Sequence, residues 1–468
     1  NFLYASEAVA SDNHRRVFVF RHCYRSTKDT VSHGVENFDH ALNYTSLGAV
    51  PAWNTPTKWC TEGGMDIATK TGADLIARFI PSDASISLVA DTEQRCSDTA
   101  LAFLRGIGKP SAPIQYSAPL FHTLKPDVGP AVCTAGYTTE ELRSEIQARL
   151  SSVDAPSTYT EAATLFERYV GVGAAGGLAN LNPKEAVSSE AHLYGVVGAL
   201  KVLSQMAFYS FASGTPWISS PSSSDLYDMI AWQHYFRSVN SFNSEAATNN
   251  AQLMKDILDI LGDSDEKADD ATIYAGHDSN VDGVAAILNL TWGASPFKGD
   301  GLQPTPPNSG FLFDHDKAKD TVEVSYVYPP VVSENGGEAA LDSSGILQIS
   351  PIKTYSTLKS LESDVIAGLQ SFKGAMDCYN QDLDLKDIGG EANICSSDDN
   401  EKQVKSYRVA VIILALLLGF GAFFYFAKKV MDNSKSKWKP MKHRQMKDEE
   451  KTEEPSVADI QKQPSASI

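Results

Sequence analysis

Apolar positions along this chain alternate between two rhythms. Val17 to Phe20, Ala84 to Asp91 and the stretch beginning at Ala271 are short runs rich in β-branched or aromatic residues, the pattern of buried strands. Between and after them lie segments with helical spacing. Thr61 or Glu62 opens one whose apolar residues Met65, Ile67, Ala68, Leu75, Ile76 and Phe79 form a face, and TEQRCSDTALAFLRGI opens another directly after Asp91. The polar, aperiodic stretch Ser32 to Pro56 reads as a loop, and the proline-rich Pro110 to Pro130 as an excursion from the core. TTEELRSEIQARL, with Thr138 or Thr139 as N-cap and acids in its first turn, begins a helical series that ends at the acidic turn GDSDEKADD. A strand and the helix Val281 to Leu290 return after Ala271, and GFLFDHDKAKDTVEVSYVYPP reads as two antiparallel strands added at the sheet edge. The pattern predicts an α/β domain over 1–408: a mostly parallel sheet flanked by helices, core about 14–108 and 270–360, with an inserted helical cap about 110–268.

Two further stretches are strongly apolar. Ser189 to Gly214 is interrupted by His192, Lys201 and Gln205, which favours a buried helix of the cap. Val409 to Ala427 is uninterrupted for 19 residues, long enough for a transmembrane helix, and eight Lys or Arg follow between Lys428 and Lys447. The positive-inside rule then puts 428–468 in the cytosol as a disordered tail, and the first 408 residues on the luminal or extracellular side: a single-pass type I protein of the cell surface or endomembrane system. The whole chain carries −18 and the tail from Lys428 is +3, so the part before the uncharged span carries −21, and an acidic domain of this kind disfavours nucleic acid as a partner. The start at Asn1, with neither Met nor an apolar leader, predicts a mature form freed of its signal peptide. In that compartment the six cysteines have up to three disulfides open to them, and Asn43 (NYT) and Asn289 (NLT) are glycosylation sequons.

The candidate chemistry begins where Val17 to Phe20 stops at Arg21, His22 and Arg25. Guanidinium forks hold phosphoryl oxygens in bidentate contacts, and an imidazole between them is placed to attack phosphorus. The stretch YAGHDSN repeats the design, an apolar run ending in His277 and Asp278. Either histidine alone is more often structural. Two such motifs at predicted strand ends, where open α/β sheets bind ligands, make a site the better account. Asp314, His315 and Asp316 lack calcium-loop spacing and read as a hairpin turn. No cysteine has Arg six positions on, and GxSxG, P-loop and HExxH motifs are absent, which excludes several rival hydrolase chemistries.

RHCYRST and HD resemble the two signatures of the histidine acid phosphatases, RHGxRxP and HD, and the resemblance extends over roughly Val17 to Pro330. It implies a phosphoglycerate-mutase-like core and an acid phosphatase that hydrolyses small phosphomonoesters or phosphoproteins through a phosphohistidine. His22 would be the nucleophile, Asp278 the proton donor, and Arg21, Arg25, Arg95 and His277 the phosphate clamp, with neither metal nor cofactor. Arg95 matches the family's third arginine, with Thr99 and Ala100 in place of Ser-Ala. Cys23 replaces the family's Gly and Thr27 its Pro, departures that keep open a weak or inactive pseudo-phosphatase acting as a membrane-anchored binding or structural glycoprotein. Cys23 is expected as a free thiol in the positive field of the site, and Cys378 is expected to pair with Cys395.

Overall fold

The computed structural model describes residues 13–381, apart from 28–40, 48–50, 122–135, 181–185, 188–192, 216, 220, 265–268, 294–301 and 330–346. The expected span 409–427, the tail and Cys395 lie outside the described residues, among which no helix is long and apolar enough to cross a membrane.

In chain order the elements are β1 (His14–Arg21), α1 (Glu62–Arg78), β2 (Ile86–Ala90), α2 (Gln94–Ile107), β3 (Gln115–Tyr116) and α3 (Ala118–Phe121). A helical stretch follows: α4 (Thr139–Ser152), α5 (Tyr159–Val170), the short pair β4 (Ala186–Val187) and β5 (Leu193–Tyr194), then α6 (Val196–Ala212), α7 (Ser223–Asn240) and α8 (Ser244–Gly262). The chain then re-enters the sheet with β6 (Ala271–Gly276), α9 (Asp278–Leu288), β7 (Gly310–Asp316), β8 (Thr321–Tyr328) and β9 (Gln348–Tyr355), and closes with α10 (Leu358–Ser371) and α11 (Ala375–Tyr379).

Strand β1 is the middle of the sheet because its VFVF run is apolar on both faces. Val17 and Val19 pack into one core with Tyr274, Phe311 and helices α8 and α9, while Phe18 and Phe20 pack into another with Leu88, Ile273 and helices α1 and α2. The described sheet has the order β3-β2-β6-β1-β7-β8-β9. Pairings from β3 to β1 are parallel, and those from β1 onward to β9 are antiparallel. This corrects the mostly parallel sheet: it is mixed, and β7 sits against β1 in the interior rather than at an edge. The edge belongs to β9, which tolerates Pro351 there beside a register shift at Val324/Ser325. Asp314 to Asp316 end β7 instead of forming the turn, and they are engaged in ion pairs with His14 and Arg16, Asp320 and Lys319 respectively.

The helix starts follow their sequence signals. Thr138 caps α4 in a reciprocal box with Glu141, and Thr61 caps α1 by accepting from the Gly64 N–H at 3.0 Å. Gly64 has a second role, since a Cβ there would collide with the carbonyl oxygen of Tyr24, in the loop after β1. Absence of a side chain lets α1 dock on that loop, with the Thr61 N–H donating to the same carbonyl at 3.0 Å. Gly64→Ala should therefore cost about 1–3 kcal/mol by overpacking a rigid backbone contact. Urea unfolding checks this, and an unchanged midpoint would show that the loop yields freely.

Candidate active site

Strand register assembles the site. Arg21 pairs with Gly276 across β1 and β6, and the His22 N–H donates to the Gly276 carbonyl at 2.8 Å, so His22 and His277 emerge side by side. Their rings stand edge to face with centroids 5.6 Å apart. Ala90 pairs with Ala275 across β2 and β6, which brings Asp91 to the same rim. Its carboxylate lies 2.6 Å from His277 Nε2. All three residues leave the C-terminal ends of parallel strands, where an open α/β sheet forms its ligand crevice.

The loop after β1 is held at several points. The Cys23 N–H donates to Thr99 Oγ1 at 2.8 Å, and the Thr99 hydroxyl donates to the Arg95 carbonyl at 2.6 Å, so the phosphate-loop backbone and the third arginine share one support. Ser26 N–H to the Trp59 carbonyl and Thr61 N–H to that of Tyr24 zip the loop to residues 59–61. Cys23 lies within this zipper and forms a disulfide with Cys60. That overturns the free thiol: the loop is already fixed to its neighbour by backbone bonds, so the crosslink imposes no constraint that the fold lacks. Nor does position 23 need glycine's conformational range, since its φ is not positive. Cys96 is the free, buried cysteine among those described. Cys378 is disulfide-bonded, and its expected partner lies outside the described residues.

Cations converge on the same spot. Arg21 is 1% exposed; it donates to the Tyr209 hydroxyl at 2.5 Å and to the Thr305 carbonyl, and pairs with Asp278 at 2.9 Å. Arg25 donates to the Ser26 carbonyl and lies over the Tyr209 ring, 5.9 Å from its centre. Arg95 pairs with Glu93 and donates toward His277 Nδ1 at 3.2 Å. The Nε donors of Arg21, Arg25 and Arg95 are buried with no acceptor among the described residues. Buried N–H groups are normally satisfied, so these donors on three arginines that all act on His22 suit an anion's oxygens.

His22 Nδ1 lies 2.8 Å from the carbonyl oxygen of Cys23. A carbonyl only accepts, so Nδ1 carries the proton and Nε2 keeps its lone pair. Burial first, then the Arg95, Arg21 and Arg25 guanidiniums, holds this imidazole well below the usual histidine range, so it stays neutral in acid. Asp278 opens α9, a favourable place for a carboxylate. Burial pushes it up, but the Arg21 and Arg237 guanidiniums outweigh that and hold it well below the usual range. This setting favours the carboxylate form of Asp278. About a third of its side chain, 34%, faces the cavity.

All six residues expected at the site, Arg21, His22, Arg25, Arg95, His277 and Asp278, are thus brought together. The sequons lie elsewhere, with Asn43 and Asn289 exposed and Asn289 ending α9 in the left-handed conformation. Four participants were not singled out by motif. Asp91 fixes the His277 ring. Tyr209 stands between Arg21 and Arg25. Arg237 bridges α7 to α9, holding Asp282 and lying 3.8 Å from Asp278. Lys201, read only as an interruption of an apolar helix, faces Asp278, Arg25, Arg21 and Arg237, and burial lowers its pKa to about 8. Asp91 at a predicted strand end carried a positional signal; Tyr209 and Arg237 carried none.

Asp91, Cys96 and His277 bring potential metal-ligand atoms within 4.8 Å of one another. The set suits a cation poorly, because Asp91 and His277 are bonded to each other and the Arg95 guanidinium lies against the imidazole.

No protein-family model matches the chain, and no curated protein does. Solved structures do. The chain is similar to the phytase from Citrobacter braakii (TM-score 0.62, 19% identity, 76% of this chain and 98% of that one) and to Hafnia alvei phytase in complex with tartrate (0.61, 18%, 79% and 99%). A Klebsiella phytase aligns comparably (TM-score 0.62, 13% identity, 81% and 99%). The fold is therefore that of phytases, a mixed sheet with helices on both faces, in keeping with the fold implied by RHCYRST and HD.

Direct titration checks the site's electrostatics. In an NMR pH titration the His22 ring should keep its Nδ1-protonated neutral form through pH 6.5 and below, the ordinary histidine midpoint. A midpoint at or above that value would contradict the cationic, buried setting.

Proposed function

We propose that this chain is an acid phosphatase acting on phosphomonoesters through a phosphohistidine. The observation that carries the reading is a neutral His22, Nε2 unprotonated, set among buried Arg21 and partly buried Arg25 and Arg95, whose Nε donors are unmatched among the described residues, and opposite Asp278. A phosphoryl group between them would have its oxygens held by Arg21, Arg25 and Arg95. His22 Nε2 attacks phosphorus as the ester P–O bond breaks, and the leaving oxygen takes a proton from the Asp278 side. Charge in this loose transition state sits on the phosphoryl oxygens, where the guanidiniums stabilise it. Water then attacks the phosphohistidine, giving its proton to the Asp278 carboxylate, and inorganic phosphate leaves with His22 restored. Asp91, accepting from His277 Nε2–H, fixes that ring with its Nδ1 lone pair toward the Arg95 guanidinium, so His277 acts by positioning Arg95 for the anion.

Since Arg21 and Arg237 favour the Asp278 carboxylate, the proton for the leaving group enters with the substrate. A phosphate ester monoanion supplies it, and the added negative charge beside Arg21 raises Asp278 toward protonation. The second phosphate pKa is about 6, so kcat/KM should hold steady in acid and fall about tenfold per pH unit above that value. A profile rising through neutrality would exclude this proton route.

The pseudo-phosphatase alternative gains nothing from Cys23, whose side chain serves the loop crosslink. The membrane-anchored, type I arrangement rests on the 409–427 run and the basic stretch after it, and exposed Asn43 and Asn289 are compatible with glycans on a luminal face. Hydrolysis of a chromogenic phosphate ester at about pH 5, below the second phosphate pKa of about 6 so that the monoanion is well populated, tests the proposal: the parent chain should turn over and His22→Ala should not. Equal rates would remove the nucleophile. Asp278→Asn should slow alkyl esters about 10²–10⁴-fold and nitrophenyl esters far less, because nitrophenolate departs without a proton. Equal losses would remove Asp278 as acid.

A further inference from the structure

Polarity is graded across the site. On one side Arg21, Arg25 and Lys201 converge. On the other, a cavity of about 370 Å³ opens from Arg95, His277 and Asp278 toward the junction of α7 and α8. Its far wall presents Asn240, Ser241, Glu245 and Asn249, with the Phe121 ring at one side. Because Arg95, His277 and Asp278 line it, this is the space that the alcohol half of a clamped ester enters.

The wall is rigid. Asn280 accepts from the His277 N–H at 2.8 Å and donates to Asn250 Oδ1 at 2.9 Å, and Asn250 in turn donates to the Ser279 and Ala246 carbonyls. The start of α8 borders the cavity with two of its first N–H groups already engaged. The Ser244 N–H donates to Glu145 and the Ala246 N–H to Asn243. Glu245 and Glu145 both act on Tyr137, raising its pKa after burial, which places two carboxylates at this end. A second phosphate on the alcohol would meet that negative field; hydroxyl groups would meet amides and a hydroxyl, and a cation would meet Glu245.

Resting on the phosphatase reading, we propose that the alcohol portion of the substrate is a small, hydroxyl-bearing group, neutral or cationic, and that Glu245 selects it against polyanionic esters. The cavity is of the size that encloses a small polar molecule.

The test compares kcat/KM at about pH 5 for glycerol 2-phosphate, glucose 6-phosphate and phosphocholine with that for fructose 1,6-bisphosphate and inositol hexakisphosphate. The parent chain should favour the first three by about tenfold or more, the factor that one unfavourable charge contact of ~1.4 kcal/mol produces. Glu245→Lys should raise the ratio of polyanionic to neutral turnover about tenfold. Glu245→Gln should raise it less and weaken phosphocholine selectively. Preference of the parent for the polyanions, or an unchanged ratio in both variants, overturns the proposal while leaving the phosphatase reading intact. Hydrolysis of none of the five, nor of a nitrophenyl ester, overturns the phosphatase reading itself and the proposal with it.

Discussion

Everything at this site depends on crowding guanidinium groups around one histidine, Arg21 and Arg237 buried and Arg25 and Arg95 partly buried. Arg21 and Arg237 are offset by Asp278 and Asp282, and Arg95 by Glu93. Arg25 has a carbonyl and an aromatic ring instead of a carboxylate. Such a concentration of largely desolvated positive charge is costly unless paired, and the surplus is what the anionic phosphate ester would offset. The same field keeps His22 neutral and Asp278 ionised. One electrostatic arrangement thus prepares the nucleophile, binds the group it attacks, and requires the proton to arrive with the substrate.

Holding those charges together falls to strand register rather than to the loops. Arg21 opposite Gly276 and Ala90 opposite Ala275 fix the relative positions of His22, His277 and Asp91 to within a backbone hydrogen bond. The loop after β1 is then tied by Thr99, by residues 59–61 and by the Cys23–Cys60 disulfide, so the backbone near His22 has little freedom. A site built this way meets its ligand with the geometry already set.

The parts written into local sequence were legible there. The VFVF run marks a central strand because only a strand buried on both faces is apolar without alternation, and Thr61 and Thr138 mark helix starts because their side chains bond the first free N–H groups. RHCYRST and HD were legible because the chemistry needs those residues adjacent in the chain. Arg237, Tyr209 and Lys201 were not, since their roles arise only when α6 and α7 are laid over the sheet; in sequence they are ordinary members of buried helices. Cys23 was misjudged because its local surroundings are cationic, whereas the fact that decides its state is a backbone pairing with residues 59–61, more than thirty positions away. The place of β7 beside β1 was missed because a hairpin's pattern specifies its two strands without naming the third that it joins.

The central claim is that His22 carries the phosphoryl group. It is tested most directly by mixing the chain rapidly with a labelled phosphate ester, quenching in alkali to preserve phosphohistidine, and mapping the label on peptides. The account predicts phosphate on the ring of His22. Label on a serine or cysteine, or turnover with no covalent phosphate on His22 at any time, would contradict it.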